Sequence, residues 1–147
     1  MSSTPHIATD APRILIVDDD GDNRMLLEVI LARQGFATTS AACGAEALMA
    51  VAVEMPDLVL LDVMMPMMSG YEVLAAMKND RATQDIVVVM VTALSDVTSK
   101  ELAMSAGADG YFTKPLDGSA LCANVKELLR HHSRAHETTI LSDQGRP

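Results

Sequence analysis

The chain predicts an α/β fold, a doubly wound five-stranded parallel sheet with helices on both faces. Three observations carry that expectation. Five short apolar runs recur along the chain, segments with helical spacing separate them, and each run is followed by polar or charged residues. Unbroken apolar strands alternating with helices need cover on both faces, which is the setting of a parallel sheet. A length of 147 residues suits one domain, and such a chain buries roughly two-thirds of its unfolded surface without a disulfide or metal staple. The composition, 49% hydrophobic and 21% charged, is that of a globular protein.

Residues 1–12 are polar, carry two prolines and show no period, so they read as a loose, disordered leader. Arg13–Val17 is the first strand, stopped by Asp18, Asp19 and Asp20. The pairs Leu26/Ile30 and Leu27/Leu31 mark a first helix, and Phe36–Ser40 is the second strand. Ala47, Leu48 and Val51 mark the second helix, Leu58–Leu61 the third strand, and Val73, Leu74 and Met77 the third helix. Ile86–Val91 is the fourth strand, Leu102, Ala103 and Ala106 the fourth helix, and Gly110–Thr113 a weaker fifth strand. Leu121, Val125, Leu128 and Leu129 follow i, i+4, i+7, i+8, the cleanest amphipathic stripe in the chain. The ordered domain is expected over 13–130, with 131–147 a fraying helix end and flexible tail. In it, His131, His132 and His136 are expected as solvated cations near a helix C-terminus.

Eleven Lys and Arg against twenty Asp and Glu give a formal charge of −9. That balance argues against direct nucleic-acid contact, which needs clustered cations, and four aromatics without Trp offer little for base stacking. Cys43 and Cys122 are isolated and fit buried thiols in a reducing cytosol. No basic segment leads into an apolar one at the N-terminus, so no signal peptide is expected. The longest apolar stretches, about eight residues, fall well short of the ~20 that a membrane helix needs. A cytoplasmic protein without a membrane partner is the expectation.

Right-handed crossovers put the carboxyl ends of all five strands on one edge, where doubly wound sheets bind ligands. The residues there are Asp18, Asp19 and Asp20, then Asp62, Thr92 and Lys114. Each has a plain structural explanation on its own: Asp20 or Asp22 as a helix cap, Thr92 as a β-branched strand residue, Lys114 as a surface lysine. Their conjunction at matching strand ends favours a site. Clustered carboxylates repel unless a cation lies among them, and all-oxygen donors without His or Cys suit Mg²⁺. One ammonium and one hydroxyl beside them would complete a set that holds a phosphoryl-sized anion.

At these strand ends the chain resembles bacterial response-regulator receiver domains. The motifs are Ile14-Leu15-Ile16-Val17-Asp18-Asp19-Asp20, Leu60 to Pro66 with Ser69-Gly70, Val91-Thr92-Ala93, and Gly107 to Pro115. Together they span about residues 13–130 in order and spacing. The resemblance implies a flavodoxin-like (βα)5 sheet of order 2-1-3-4-5, the order the receiver protein CheY itself exemplifies. It implies phosphorelay signalling, with Asp62 accepting a phosphoryl group from a sensor histidine kinase or a histidine phosphotransfer protein. Asp19 and Asp62 then match direct Mg²⁺ ligands, Asp18 an acid reaching the metal through water, and Met64 a backbone-carbonyl ligand. Lys114 matches the lysine that pairs with phosphoryl oxygens, Pro115 a proline preceded by a cis bond, and Thr92 and Tyr111 the switch pair.

The resemblance further implies a regulatory protein, not an enzyme, which assists its own phosphorylation and dephosphorylation. Its expected output is a protein contact through the face of the fourth helix, fifth strand and fifth helix. Met64 and Leu94 match the positions flanking the approach of a hydrolytic water; both are apolar, so a long-lived phosphoryl group is expected. Met67 takes the place of a small or polar turn residue and is expected to stiffen its loop. Met64, Met65, Met67 and Met68 are expected mainly as gap-filling side chains, the alternative being an adaptable partner surface.

A small aspartyl-phosphate phosphatase is the rival of another class, since Asp18-Asp19-Asp20 contains D-x-D. No loop is long enough for the cap such enzymes carry. A nucleotide-binding module is disfavoured because neither G-x-G-x-x-G nor G-x-x-x-x-G-K-[ST] occurs. A stand-alone receiver is the expected organisation; the alternative is a receiver fragment of a hybrid kinase or multidomain regulator.

Overall fold

A computed structural model describes residues 11–94 and 97–144; the proposed leader falls almost wholly outside them. The strands are β1 (Arg13–Val17), β2 (Ala37–Ala41), β3 (Leu58–Asp62), β4 (Val87–Thr92) and β5 (Gly110–Thr113). The helices are α1 (Gly21–Arg33), α2 (Gly44–Val53), α3 (Gly70–Lys78), α4 (Val97–Ser105) and α5 (Gly118–Gln144). All strands pair in parallel in the order β2-β1-β3-β4-β5, so the expected fold and order hold.

The register explains why the strand ends meet. Val17 pairs with Ala41 and Leu61, Asp62 with Val91, and Thr92 with Thr113. The residues just beyond these positions therefore share one edge. Along each central strand, side chains alternate between faces. Leu15, Val17, Val59, Leu61, Val88 and Met90 pack with Ala47, Val51, Val73, Leu74, Met77 and Ala103 of α2, α3 and α4. Ile14, Ile16, Leu58, Leu60, Val87, Val89 and Val91 pack with Leu27, Leu31, Leu121 and Val125 of α1 and α5. Continuous apolar runs are thus two cores interleaved residue by residue.

Helix starts follow their capping residues. Asp20 caps α1 by accepting the Asp22 N–H at 2.9 Å. Ser69 and Glu72 form a reciprocal capping box at the start of α3. β5 is short and only half-buried. Asp109 secures its entry, donating its N–H to the Val88 carbonyl at 2.7 Å and accepting the Val88 N–H at 2.9 Å.

Several sequence expectations shift. α1 buries Leu27 and Leu31 while Leu26 is exposed, and α4 buries Ala103 while Leu102 is 56% exposed. Cys122 is buried, but Cys43 is half-buried ahead of α2. α5 runs to Gln144, past Arg130. His131 therefore lies within the helix and not at its C-terminus; its Nε2 pairs with Glu127 Oε2 one turn earlier at 2.7 Å. The side chain of His136 lies outside the described residues.

One close approach sets the geometry of the edge. The Gly70 N–H donates to the Val63 carbonyl at 2.8 Å, and a Cβ on Gly70 would lie 2.3 Å from the Asp62 carbonyl oxygen. Only glycine lets α3 start against the end of β3. Gly70→Ala is expected to cost about 1–3 kcal/mol through forced backbone movement, read as an earlier midpoint in urea. Gly118→Ala, whose Cβ would meet only Ile30 at ordinary contact distance from 3.4 Å, should shift the midpoint little.

Candidate functional site

Asp18 follows β1 and is 2% exposed; Asp62 ends β3 and is 5% exposed. Lys114, directly after β5, reaches across the edge between them. Its Nζ donates to Asp18 Oδ2 at 3.0 Å and to Asp62 Oδ2 at 3.5 Å. The remaining oxygens are held by main chain: Asp18 Oδ1 accepts the Asp20 N–H at 2.9 Å, and Asp62 Oδ1 accepts the Met64 N–H at 3.2 Å. Asp19 is exposed at the mouth. Carboxylate oxygens of Asp18, Asp19 and Asp62 all lie within 4.8 Å of one another.

Burial pushes the Asp62 carboxyl up from the usual 3.8 to about 6, and the charge of Asp18 pushes the same way. The Lys114 ammonium and the Met64 N–H oppose the rise without cancelling it. Burial pulls the Lys114 ammonium down, but the hydrogen bond to Asp18 and the charges of both carboxylates outweigh it, leaving it raised. The carboxylates outnumber the ammonium, so the pocket favours further positive charge. Three carboxylate donors with no nitrogen or sulfur suit a hard divalent ion. Octahedral Mg²⁺ ligands at 2.0–2.1 Å lie about 3–4 Å apart, so a cluster of this size could share one Mg²⁺ between two carboxylates with the third reaching it through water.

Thr92, the last residue of β4, is completely buried. Its hydroxyl accepts the Leu94 N–H at 3.2 Å, while the Tyr111 hydroxyl donates to the Leu94 carbonyl at 2.7 Å. The two residues expected as a switch pair are thus joined through the peptide groups of Leu94. Tyr111 is half-buried against the core. The Lys114–Pro115 bond is cis, as expected.

The methionines after Asp62 divide. Met65 is buried and Met68 packs on the core, its side chain filling the space beside Gly44. Met64 is 58% exposed and Met67 fully so. Met67 sits at φ 70°, a left-handed conformation that a β-carbon disfavours, in the loop leading from Asp62 to α3.

Sequence reasoning missed three contributors. The Arg24 guanidinium donates to the Asp18 carbonyl at 2.7 Å, and Asn23 Nδ2 lies 3.5 Å from Asp18 Oδ2. Both sit on the first turn of α1, where their spacing from Asp18 was a usable signal. The peptide groups of Leu94 had no signal, because backbone carries no residue identity.

Comparison with known proteins agrees with this geometry. The model of the response regulator receiver domain family matches residues 14–126. The DNA-binding dual master transcriptional regulator RpaA of Synechocystis is 40% identical over 84% of this chain and 51% of its own. The chain spans about half the length of the first curated relatives it matches. Among solved structures, a CheY-like receiver domain protein of Methanospirillum hungatei has a TM-score of 0.80 at 31% identity, covering 86% of this chain and 99% of that one. The signal receiver domain of a signal transduction histidine kinase from Syntrophus aciditrophicus has a TM-score of 0.76 at 35% identity, covering 82% and 92%. With most of its length matched in sequence and in fold, the chain belongs to the response regulator receiver domain family.

Proposed function

We propose that Asp62 is the phospho-acceptor of a two-component relay, taking a phosphoryl group from a phosphohistidine on a sensor kinase or phosphotransfer protein. The observation that carries this reading is the position of Asp62, buried at the end of the central strand with Lys114 Nζ 3.5 Å away and two further carboxylates beside it. Its Oδ2 attacks phosphorus, and the P–N bond to the donor imidazole breaks. Lys114 follows the negative charge onto the phosphoryl oxygens, exchanging part of its contact with Asp18 for them. The Met64 N–H keeps Asp62 oriented through Oδ1. Phosphoryl transfer needs mainly such positioning and charge neutralisation.

Asp19 and Asp62 would hold Mg²⁺ directly, with the Met64 carbonyl as a third ligand and Asp18 acting through water. The ion supplies neutralisation of the phosphoryl charge. Thr92 would turn its hydroxyl toward the phosphoryl group and release the Leu94 N–H. Because Tyr111 holds the carbonyl of Leu94, that release reaches the face of α4, β5 and α5. We read that face as a docking surface for a downstream protein. The acidic balance of the chain, a formal charge of −9, favours a protein over nucleic acid as the direct partner of this domain. The expected chemistry is regulatory, with the domain assisting its own phosphorylation and hydrolysis, and a cytoplasmic setting fits a kinase donor. Among the described residues, no helix is long and apolar enough to cross a membrane.

With Mg²⁺ and acetyl phosphate, the parent should gain one phosphoryl group by intact mass, and Asp62→Asn none. Equal labelling of the two would refute the assignment.

Metal-free stability should carry the signature of Asp62. Its carboxyl rises from 3.8 unfolded to about 6 folded, so the folded state holds the proton more tightly. Stability from that proton is complete below the unfolded value and lost as pH rises through the folded one. Asp62→Asn should therefore melt higher than the parent at pH 7 in EDTA, with the gap closing near pH 4. Mg²⁺ at about 100 times its dissociation constant should stabilise the parent by about 2.7 kcal/mol at pH 7, and Asp62→Asn less.

Hydrolysis needs a water in line with phosphorus. Met64 stands exposed beside Asp62 and Leu94 is drawn partly into the core, so neither supplies a hydrogen bond to orient it. The phosphoryl group should outlast minutes in Mg²⁺ alone, and Met64→Asn should shorten its lifetime several-fold in a decay assay.

A further inference from the structure

α4 is held at two points by the chain's two tyrosines. Tyr111 donates to the Leu94 carbonyl, in the segment leading to α4. Tyr71, in the first turn of α3, donates its hydroxyl to the Ser99 carbonyl, in the first turn of α4, at 3.2 Å. Tyr71 is half-buried against the same core as Tyr111, so its ring direction is set by packing and not by the hydrogen bond alone. Its backbone is closely held. The preceding Gly70 is hydrogen-bonded to Val63 and pressed on the Asp62 carbonyl, and the capping box of Ser69 and Glu72 closes around it.

We propose that Tyr71 is a positioning residue of the switch. It anchors the first turn of α4 to a platform built on the backbone of Asp62, and does so independently of the Thr92–Leu94–Tyr111 connection. α4 buries little apolar surface of its own: Ala103 is its one buried residue, while Val97, Leu102 and Met104 are exposed. A helix so weakly packed takes its position from directed contacts. With Ser99 fixed to α3, a displacement at Leu94 turns α4 as a unit about its first turn. Without that anchor, the same displacement loosens the helix and the signal dissipates. This inference rests on the reading of Asp62 as phospho-acceptor.

The test is Tyr71→Phe, which keeps the ring and removes only the hydroxyl. Amide hydrogen exchange over Val97–Ser105 is measured before and after phosphorylation with acetyl phosphate and Mg²⁺, alongside intact-mass labelling of Asp62. Loss of one neutral hydrogen bond should speed α4 exchange roughly two- to tenfold in the unphosphorylated variant. Exchange in β3 and labelling of Asp62 should stay at parent values. The deciding measure is the phosphorylation-dependent change in α4 exchange, which should fall by at least half. A merely structural hydrogen bond would raise the baseline and leave that change intact, and this result overturns the proposal, as does unchanged α4 exchange. Tyr111→Phe, which removes the other directed contact, shows how large a baseline rise one lost hydroxyl alone produces. Should the parent itself fail to label, the Asp62 reading fails; the unphosphorylated exchange still reports on the anchor alone.

Discussion

Asp18 and Asp62 are buried side by side because Lys114 lies between them. Each carboxylate loses most of its water, and each raises the electrostatic cost of the other. One ammonium at 3.0 and 3.5 Å offsets both, while the Asp20 and Met64 N–H groups satisfy the outer oxygens. Burial first and the charge of Asp18 second keep the Asp62 carboxyl raised despite Lys114, and with more carboxylates than ammonium groups the pocket remains short of positive charge. That deficit favours a further cation at the pocket, and under the proposed function Lys114 would exchange part of its contact with Asp18 for the phosphoryl oxygens.

Everything around this triad keeps three distant stretches of chain in register. Asp18 and Lys114 are 96 residues apart in sequence and meet only because β1, β3, β4 and β5 end together. Two interleaved cores lock the strands from both faces, so sliding one strand by a residue would exchange its buried sets. Gly70 then fixes α3 against the end of β3. The edge is closely packed at the end of β3. It is lightly built at α4, which buries only Ala103, and at the half-buried β5.

The loop after Asp62 shows the same division. Met65 and Met68 fill space, whereas Met64 and Met67 stand in solvent. The expectation of gap-filling therefore holds for half of this run. Met67 takes a left-handed backbone conformation that glycine would adopt at lower cost, so the loop carries local strain close to Asp62.

Much of this is legible in the sequence. Strand order of apolar runs and helical stripes carries the fold class, because burial on both faces demands unbroken hydrophobic strands. Asp18, Asp62, Thr92 and Lys114 were legible as a set, because a parallel sheet delivers the residues after its strands to one edge. The tertiary structure alone decided which side of each helix is buried. Leu26 and Leu102 fit their stripes as well as Leu27 and Ala103, but only the angle at which a helix meets the sheet selects between them. It also decided the length of α5, since no period marks residues beyond Arg130. Backbone partners were the least legible: the Leu94 peptide between Thr92 and Tyr111, the Ser99 carbonyl held by Tyr71, and the Asp18 carbonyl held by Arg24. Every residue carries the same peptide group, so side-chain pattern cannot tell which of them a distant hydroxyl or guanidinium will reach.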